Sequence, residues 1–467
     1  MAAATLLTAP GVHARPGHQA ISWAPCQEAP ANKEVQCGTL RVPVDWSRAD
    51  GPAFDVHLAR RPAKADRVGT VVYLPGGPGD SGVNRLLGGS PVSDELAARY
   101  DVVSLDPRGT NRSSPIKCDA ALVAEPANVD PDRGARFADV LAYSGKLGDS
   151  CREHTGELID HVDSRNVARD VEALRTALGQ RQVDLYSRSY GTLAAQRYAE
   201  LFPDRVRTAV LDSVFDHSLT TSEFLETETR TVEDSFNAFA DWCDRSTNCA
   251  LRGQDVGQVF DAVYAKAGRG EIPHPKIPGR ALTPFELSVV AMNEFYGPNW
   301  QRLSAQLAAW AGGPAVRAES TDAAEPASFP SAVLCADHRF VIRSEQDWSR
   351  KWERLKQLAP HMRSHLAWQA VAMCAGWPLP ATNPQHTPRI DPSVPVLILN
   401  SLHDPATALE WAHNVNRQIR GSVLLTYDGA GHGIYLRNDC TEQVTDRYLL
   451  HRVLPAPGTH CPGSDPV

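Results

Sequence analysis

A serine set between an apolar run and a helical stretch carries the sharpest chemical signal in the chain: Leu185-Tyr-Ser-Arg-Ser-Tyr-Gly-Thr192. A strand-to-helix turn there lifts the Ser189 hydroxyl out of a sheet and aims the next backbone N–H, that of Tyr190, at a developing oxyanion. The start of a helix adds a favourable dipole. The usual G-x-S-x-G elbow has glycine where this chain has Ser187, a position crowded against the neighbouring strand that admits only a small side chain. Alone, the fragment is weak and reads more readily as an ordinary helix N-cap serine. Pro75-Gly-Gly-Pro-Gly79 follows an apolar run ending at Leu74 and offers a second oxyanion donor, the N–H of Gly77. An acid and a base come next in chain order. Asp404 lies in Ser401-Leu-His-Asp-Pro405 and His432 in Gly429-Ala-Gly-His-Gly433, each just beyond a strand-like run. His432 would take the Ser189 proton and return it to the leaving group, and Asp404 would fix the imidazole tautomer. Taken singly, Asp404 before Pro405 is a turn or cap residue and His432 a loop histidine. Asp428 is an alternative acid, but it precedes His432 too closely, and alternation turns His403 away. The order Ser, Asp, His, with each member after a strand, makes the triad the expected site.

These residues need a sheet with helices between its strands. Phe54–Ala59 alternates as a strand does; Thr70–Leu74 and Tyr100–Leu105 are short apolar runs closed by Gly/Pro clusters. Val167, Val171, Leu174 and Leu178 recur at helical spacing within Asn166–Leu178, with Asp163 or Ser164 as cap. Strands over Gln182–Tyr186 and Val206–Leu211 flank a helix at Leu193–Leu201. The alternation predicts a mostly parallel sheet covered on both faces. From His217 to Gln385 the chain reads as helical, with Gly312–Pro330 as a loop, and strands return at Val394–Asn400 and Val423–Tyr427. The expected organisation is a core in two parts, 21–216 and 386–467, split by a helical cap at 217–385, with a flexible arm or signal-peptide remnant at 1–20.

The 467 residues carry 47 Lys and Arg against 55 Asp and Glu, and 42% are hydrophobic, which excludes a disordered chain. No apolar run reaches the ~18 residues of a membrane span. The formal charge of -8 and the lack of basic tracts make nucleic acid a poor partner. Ten cysteines without CxxC or zinc-finger spacing argue against a metal cluster and for up to five disulfides in an oxidising compartment, with connectivity left open. Met1–Ala14 is small and apolar but lacks a basic n-region. Export, to the medium or the cell wall, is expected mainly from the cysteines.

The order Ser, Asp, His is that of α/β-hydrolases. The chain resembles the exported tripeptidyl aminopeptidases of actinobacteria, within the prolyl-aminopeptidase-like α/β-hydrolases. The resemblance runs through Ile21-Ser-Trp-Ala-Pro-Cys26, Cys37-Gly-Thr-Leu-Arg-Val-Pro-Val-Asp45, Gly76-Gly-Pro-Gly-Asp-Ser-Gly82 and Asp106-Pro-Arg-Gly109. It continues through Ala168-Arg-Asp170 before Arg175, Ser189-Tyr-Gly-Thr192, Trp242-Cys243, Cys374-Ala-Gly-Trp-Pro378, Asp404-Pro405 and Gly431-His-Gly433. It implies an α/β-hydrolase fold with a helical cap, no cofactor, and release of short peptides from free N-termini. Ser187, Asn111 and Ser213 stand where the family usually has glycine, so the substrate does not transfer with the fold. Cap carboxylates would have to bind a substrate ammonium; Glu223, Glu226, Glu228 and Glu233 are available, though any one suits a solvated helix face. Trp242, Phe295, Tyr296, Trp300 and Trp310 would line an acyl pocket or form the cap's own core. Three functions compete: an exopeptidase, an esterase, lactonase or amidase on a small molecule, and an inactive hydrolase-like binding protein.

Overall fold

Every residue of Gly69–Leu74 after the first is buried, and so is Tyr100–Leu105 apart from Asp101, because both runs lie inside a sheet covered on two faces. The structure, a computed structural model, describes residues 20–274, 279–312, 327–363 and 366–466. All but the last residue of the expected N-terminal arm, and most of the expected Gly312–Pro330 loop, lie outside them.

The strands are β1 (Ala24–Pro25), β2 (Gln36–Pro43), β3 (Ala53–Arg61), β4 (Gly69–Leu74), β5 (Tyr100–Leu105) and β6 (Lys117–Cys118). They continue as β7 (Val183–Arg188), β8 (Val206–Asp212), β9 (Ala327–Ser328), β10 (Val396–His403), β11 (Val423–Ala430) and β12 (His460–Pro462). Ten of them form one sheet in the order β1-β2-β3-β5-β4-β7-β8-β10-β11-β12, while β6 and β9 form a separate ladder. Pairing is parallel from β5 to β12 and antiparallel among β1, β2, β3 and β5. The two-residue period of the strands splits their side chains between the faces. Val72, Leu74, Val103 and Leu105 enter one core; Val71, Tyr73 and Val102 enter the other. This is the mostly parallel α/β sheet expected from the sequence.

The helix Ser164–Ala177 starts where Asp163 accepts from the N–H groups of Arg165 and Asn166, and it buries Val167, Val171 and Leu174 on one face. Between β8 and β10 the described chain is mainly helical, and its helices divide between two cores. Phe236, Phe239, Phe260, Leu287 and Trp300 form a cluster of their own, shared by helices from Thr221–Arg245 to Trp300–Gly312. Glu345–Leu358 and Leu366–Ala375 instead pack Trp348, Trp352 and Trp368 into a core of the sheet. There Trp348 stacks on Phe137 of the Phe137–Thr155 helix at 5.4 Å.

All ten cysteines pair, each with its neighbour in sequence: Cys26–Cys37, Cys118–Cys151, Cys243–Cys249, Cys335–Cys374 and Cys440–Cys461. Cys151 sits on Phe137–Thr155 and Cys374 on Leu366–Ala375, so two packed helices are each tethered covalently to a distant part of the chain. Replacing Cys335 and Cys374 together by Ala opens a loop with a sequence separation of 39. The expected cost is about 2–5 kcal/mol of unfolding free energy, measured by urea titration.

Candidate active site

The turn from β7 into the helix Gly191–Leu201 is held by sterics. Ser189 sits there with φ 56, in the left-handed region that non-glycine residues rarely adopt, and its N–H donates to the Asp212 carbonyl at 2.9 Å. A Cβ on Gly191 would lie 2.4 Å from the carbonyl oxygens of Leu74 and Pro75, so only glycine lets the helix start this close to β4. A Cβ on Gly76 would lie 2.8 Å from Ser189 Cβ. The Pro75–Gly79 loop, with Gly77, therefore lies directly against the serine. Tyr190 is the N-cap of the helix, and its hydroxyl donates to the buried Asp337 at 2.7 Å.

Ser187 is wholly buried, and its hydroxyl donates to the Val210 carbonyl of β8 at 2.8 Å. The crowded position is thus filled by a side chain that finds its own acceptor. Ser187→Gly is expected to keep its turnover within a few-fold and to lose about 1 kcal/mol of stability. Parallel measurement of kcat and denaturant midpoint checks this; complete inactivity would reveal a chemical role for the hydroxyl.

Asp404 follows β10 and His432 follows β11, and the two meet. His432 Nδ1 lies 2.9 Å from Asp404 Oδ1 and 3.0 Å from Oδ2, with both side chains buried. The carboxylate can only accept, so Nδ1 carries the proton and Nε2 is the acceptor. Asp404 also accepts from the N–H groups of Ala406 and Thr407 at 2.9 Å each, from the Thr407 hydroxyl at 2.9 Å and from the Ser213 hydroxyl at 2.7 Å. Burial opposes its charge, but the imidazole beside it and these donors hold its pKa below the ordinary carboxylate value. His432 donates its N–H to the Tyr296 carbonyl at 3.0 Å, and the Tyr296 ring meets its imidazole edge-on at 4.7 Å. The Asp212 carboxylate holds the following residues through the N–H of Ile434 at 2.8 Å and of Tyr435 at 3.2 Å.

Ser189 and His432 wall one polar cleft, together with Gly77. His432 Nε2 is buried and makes no hydrogen bond among the described residues. The structure thus joins Asp404 to His432 directly and brings Ser189 and His432 to a common surface without a hydrogen bond between them. Such contacts often tighten only when substrate binds.

The alternatives find other partners. Asp428 accepts from His460 at 2.6 Å, and His403 bonds Asp234 at 2.8 Å. Glu223 caps its own helix, Glu226 pairs with Arg354 at 3.2 Å, and Glu233 accepts from the N–H of Met362 at 2.9 Å. Glu228 alone of the four lines the cavity at Ser189. Trp242, Phe295 and Trp300 belong to the separate cluster of the helices between β8 and β10 and Trp310 packs against it, whereas Tyr296 reaches the cavity.

Sequence reasoning missed Ser213, read only as a departure from glycine. Its φ is 56, and its hydroxyl links Asp404 to the N–H of Gly433 at 2.7 Å. It thereby joins the acid's carboxylate to the loop that carries the histidine.

Two spaces meet at this point. A cavity of ≈ 360 Å³ and a cleft of ≈ 760 Å³ share Ser189, Gly77 and Tyr296. The first is lined mainly by apolar side chains, the second by Asp80, Asn84, Arg85, Asn111 and Arg188 among others.

The sheet order, the elbow and the helices over it define an α/β-hydrolase, and residues 69–266 match the model described as alpha/beta hydrolase fold. Residues 359–461 match the model described as TAP-like protein. The serine protease Hip1 of Mycobacterium tuberculosis is 30% identical over 480 residues, covering 95% of this chain and 91% of that protein. The tripeptidyl aminopeptidase of Streptomyces lividans is 30% identical over 465 residues, covering 94% and 86%. Carboxylesterase B of Mycobacterium tuberculosis is 28% identical, covering 97% and 92%. The chain belongs to the tripeptidyl-aminopeptidase-like α/β-hydrolases and is an enzyme of the serine hydrolase class.

Proposed function

We propose that the protein is an exported serine exopeptidase that releases short peptides from free N-termini through Ser189, Asp404 and His432. His432 Nε2 removes the Ser189 proton as Oγ attacks the scissile carbonyl. The N–H groups of Gly77 and Tyr190 stabilise the oxyanion. The C–N bond breaks as the imidazolium gives its proton to the leaving amine, leaving an acyl-enzyme. Water, deprotonated by the same imidazole, then releases the peptide acid and restores Ser189. Asp404 stays ionised and stabilises the imidazolium.

The observation that supports this reading best is the buried Asp404–His432 pair, whose histidine lines the cleft that Ser189 also walls. Names of relatives at 30% identity support the peptidase assignment, and the five disulfides support an oxidising, extracellular setting. Glu228 in the cavity is suited to bind a substrate ammonium. A second reading, hydrolysis of a small ester, lactone or amide by the same residues, draws on the apolar lining of that cavity.

The deciding assay compares N-terminally free tripeptidyl p-nitroanilides with their N-acetylated forms and with p-nitrophenyl esters. The peptidase reading requires turnover of the free peptides. It also requires Glu228→Gln to reduce their kcat/KM by roughly 10- to 100-fold, the worth of a hydrogen bond to a charged group, with little effect on the acetylated forms. Turnover of esters alone selects the second reading.

A further inference from the structure

The two spaces at Ser189 are chemically unlike, and His432 lines only one of them, the polar cleft. In acyl transfer by a serine and a histidine, the imidazolium hands its proton to the leaving atom. The leaving portion of the substrate must therefore lie on the His432 side, in the polar cleft, and the acyl portion on the other side, in the apolar cavity. This assignment rests on the reading of Ser189 and His432 given above.

The acyl side is walled by two helices. Val140, Tyr143 and Leu147 of Phe137–Thr155 and Ala370 and Met373 of Leu366–Ala375, two helices packed on each other, line it together. The disulfides Cys118–Cys151 and Cys335–Cys374 tether these two helices, so the walls are braced rather than loose. The Tyr143 hydroxyl is turned away to the Leu122 carbonyl at 2.6 Å, leaving the ring as the surface it offers. Among the described residues that line it, Glu228 is the one charged side chain. The ≈ 360 Å³ available falls in the range of small-molecule sites and exceeds what a minimal acyl group would fill. The cleft opposite, at ≈ 760 Å³, is walled by Asp80, Arg85 and Arg188 and has no comparable apolar surface.

We infer that this enzyme selects its substrate on the acyl side, through the apolar walls of the Phe137–Thr155 and Leu366–Ala375 helices. It transfers acyl groups carrying a bulky apolar substituent and accepts varied polar leaving groups. An unbranched apolar chain and a peptide with leucine- or phenylalanine-like side chains share this chemistry, and the test distinguishes them.

Purified enzyme is assayed on tripeptidyl p-nitroanilides bearing Ala, Leu or Phe at one position at a time. In parallel it is assayed on p-nitrophenyl acetate, butyrate and octanoate. A fluorophosphonate probe, mapped to its residue by peptide mass spectrometry, reports the nucleophile independently. The expected result is a preference of roughly tenfold or more in kcat/KM for the bulkier apolar acyl group in at least one series. Ala370→Phe, which fills the chamber, should bring that ratio towards unity. Met373→Ala, which enlarges it, should move the optimum to longer groups; it also serves if Ala370→Phe does not fold. Because each result is a ratio within one preparation, a loss of folded enzyme cancels. A flat acyl profile, or a ratio unmoved by both variants while Ser189 is labelled, overturns the inference. Failure to label Ser189 overturns the nucleophile assignment on which it rests.

Discussion

Ser189→Ala is expected to abolish nearly all turnover, leaving a residual ~10³–10⁴-fold acceleration over water from binding and the oxyanion donors. The loss should be several orders of magnitude, because Ser189 lies against Gly76 and lines both the cavity and the cleft, whereas the Ser187 hydroxyl is buried on the Val210 carbonyl. His432→Ala should fall to a similar level, and the double variant little further, since residues that act as one unit lose their effect together. Asp404→Asn is expected to cost about 10⁴-fold. Its amide can present an N–H where Nδ1 now donates, favouring the wrong tautomer. Steady-state kcat on the best chromogenic substrate, with far-UV circular dichroism confirming the fold, checks all four. Undiminished kcat in Ser189→Ala would remove the proposed nucleophile, whatever the fate of the other two.

How much of this was readable beforehand depends on how local each cause is. β5 spans Tyr100–Leu105, the run expected from sequence. A central strand buried on both faces is a continuous apolar stretch, and Gly and Pro punctuate its end. β2 is not legible as a strand. Its residues, Gln36–Pro43, mix Thr and Arg with apolar ones, and only antiparallel pairing to β3 reveals their alternation. The edge strand His460–Pro462 is too short to show a period. The elbow, the glycine loop and the order of acid and base were legible because each follows a strand in a fixed local pattern. Ser213 was not, because its partner Asp404 is 191 residues away and no local rule links them. The same limit hid the division of the inserted helices between two cores. Phe239 and Trp348 look alike in sequence, and only packing sends one to the helices' own cluster and the other to the sheet.

Asp170→Ala is expected to destabilise the protein by about 3–5 kcal/mol, a large share of the 5–15 kcal/mol that holds an ordinary domain together. Arg108 and Asp170 are both fully buried. Arg108 Nε donates to Oδ2 at 2.7 Å and Nη2 to Oδ1 at 2.6 Å, a two-pronged contact that a lysine could not reproduce. The guanidinium also donates to the carbonyls of Pro43, Val44 and His161 at 3.2, 2.9 and 3.0 Å, while the Trp46 indole N–H donates to Oδ1 at 3.0 Å. One cation thus ties the end of β2, the loop after β5 and the helix Ser164–Ala177 into a single joint. It joins the Asp106-Pro-Arg-Gly109 segment to the Ala168-Arg-Asp170 segment. Removing the carboxylate leaves a positive charge buried without its counter-ion, which costs more than the pair contributes when intact. Replacing both residues at once, Arg108→Met with Asp170→Leu, should therefore recover much of the loss, although the carbonyls that Arg108 satisfies limit the recovery. Neither residue lines the cavity or the cleft. The folded fraction of Asp170→Ala should accordingly keep its kcat while its urea midpoint falls. An unchanged midpoint would mean that this joint contributes nothing to stability, and a fall in kcat with an unchanged midpoint would place it in the chemistry.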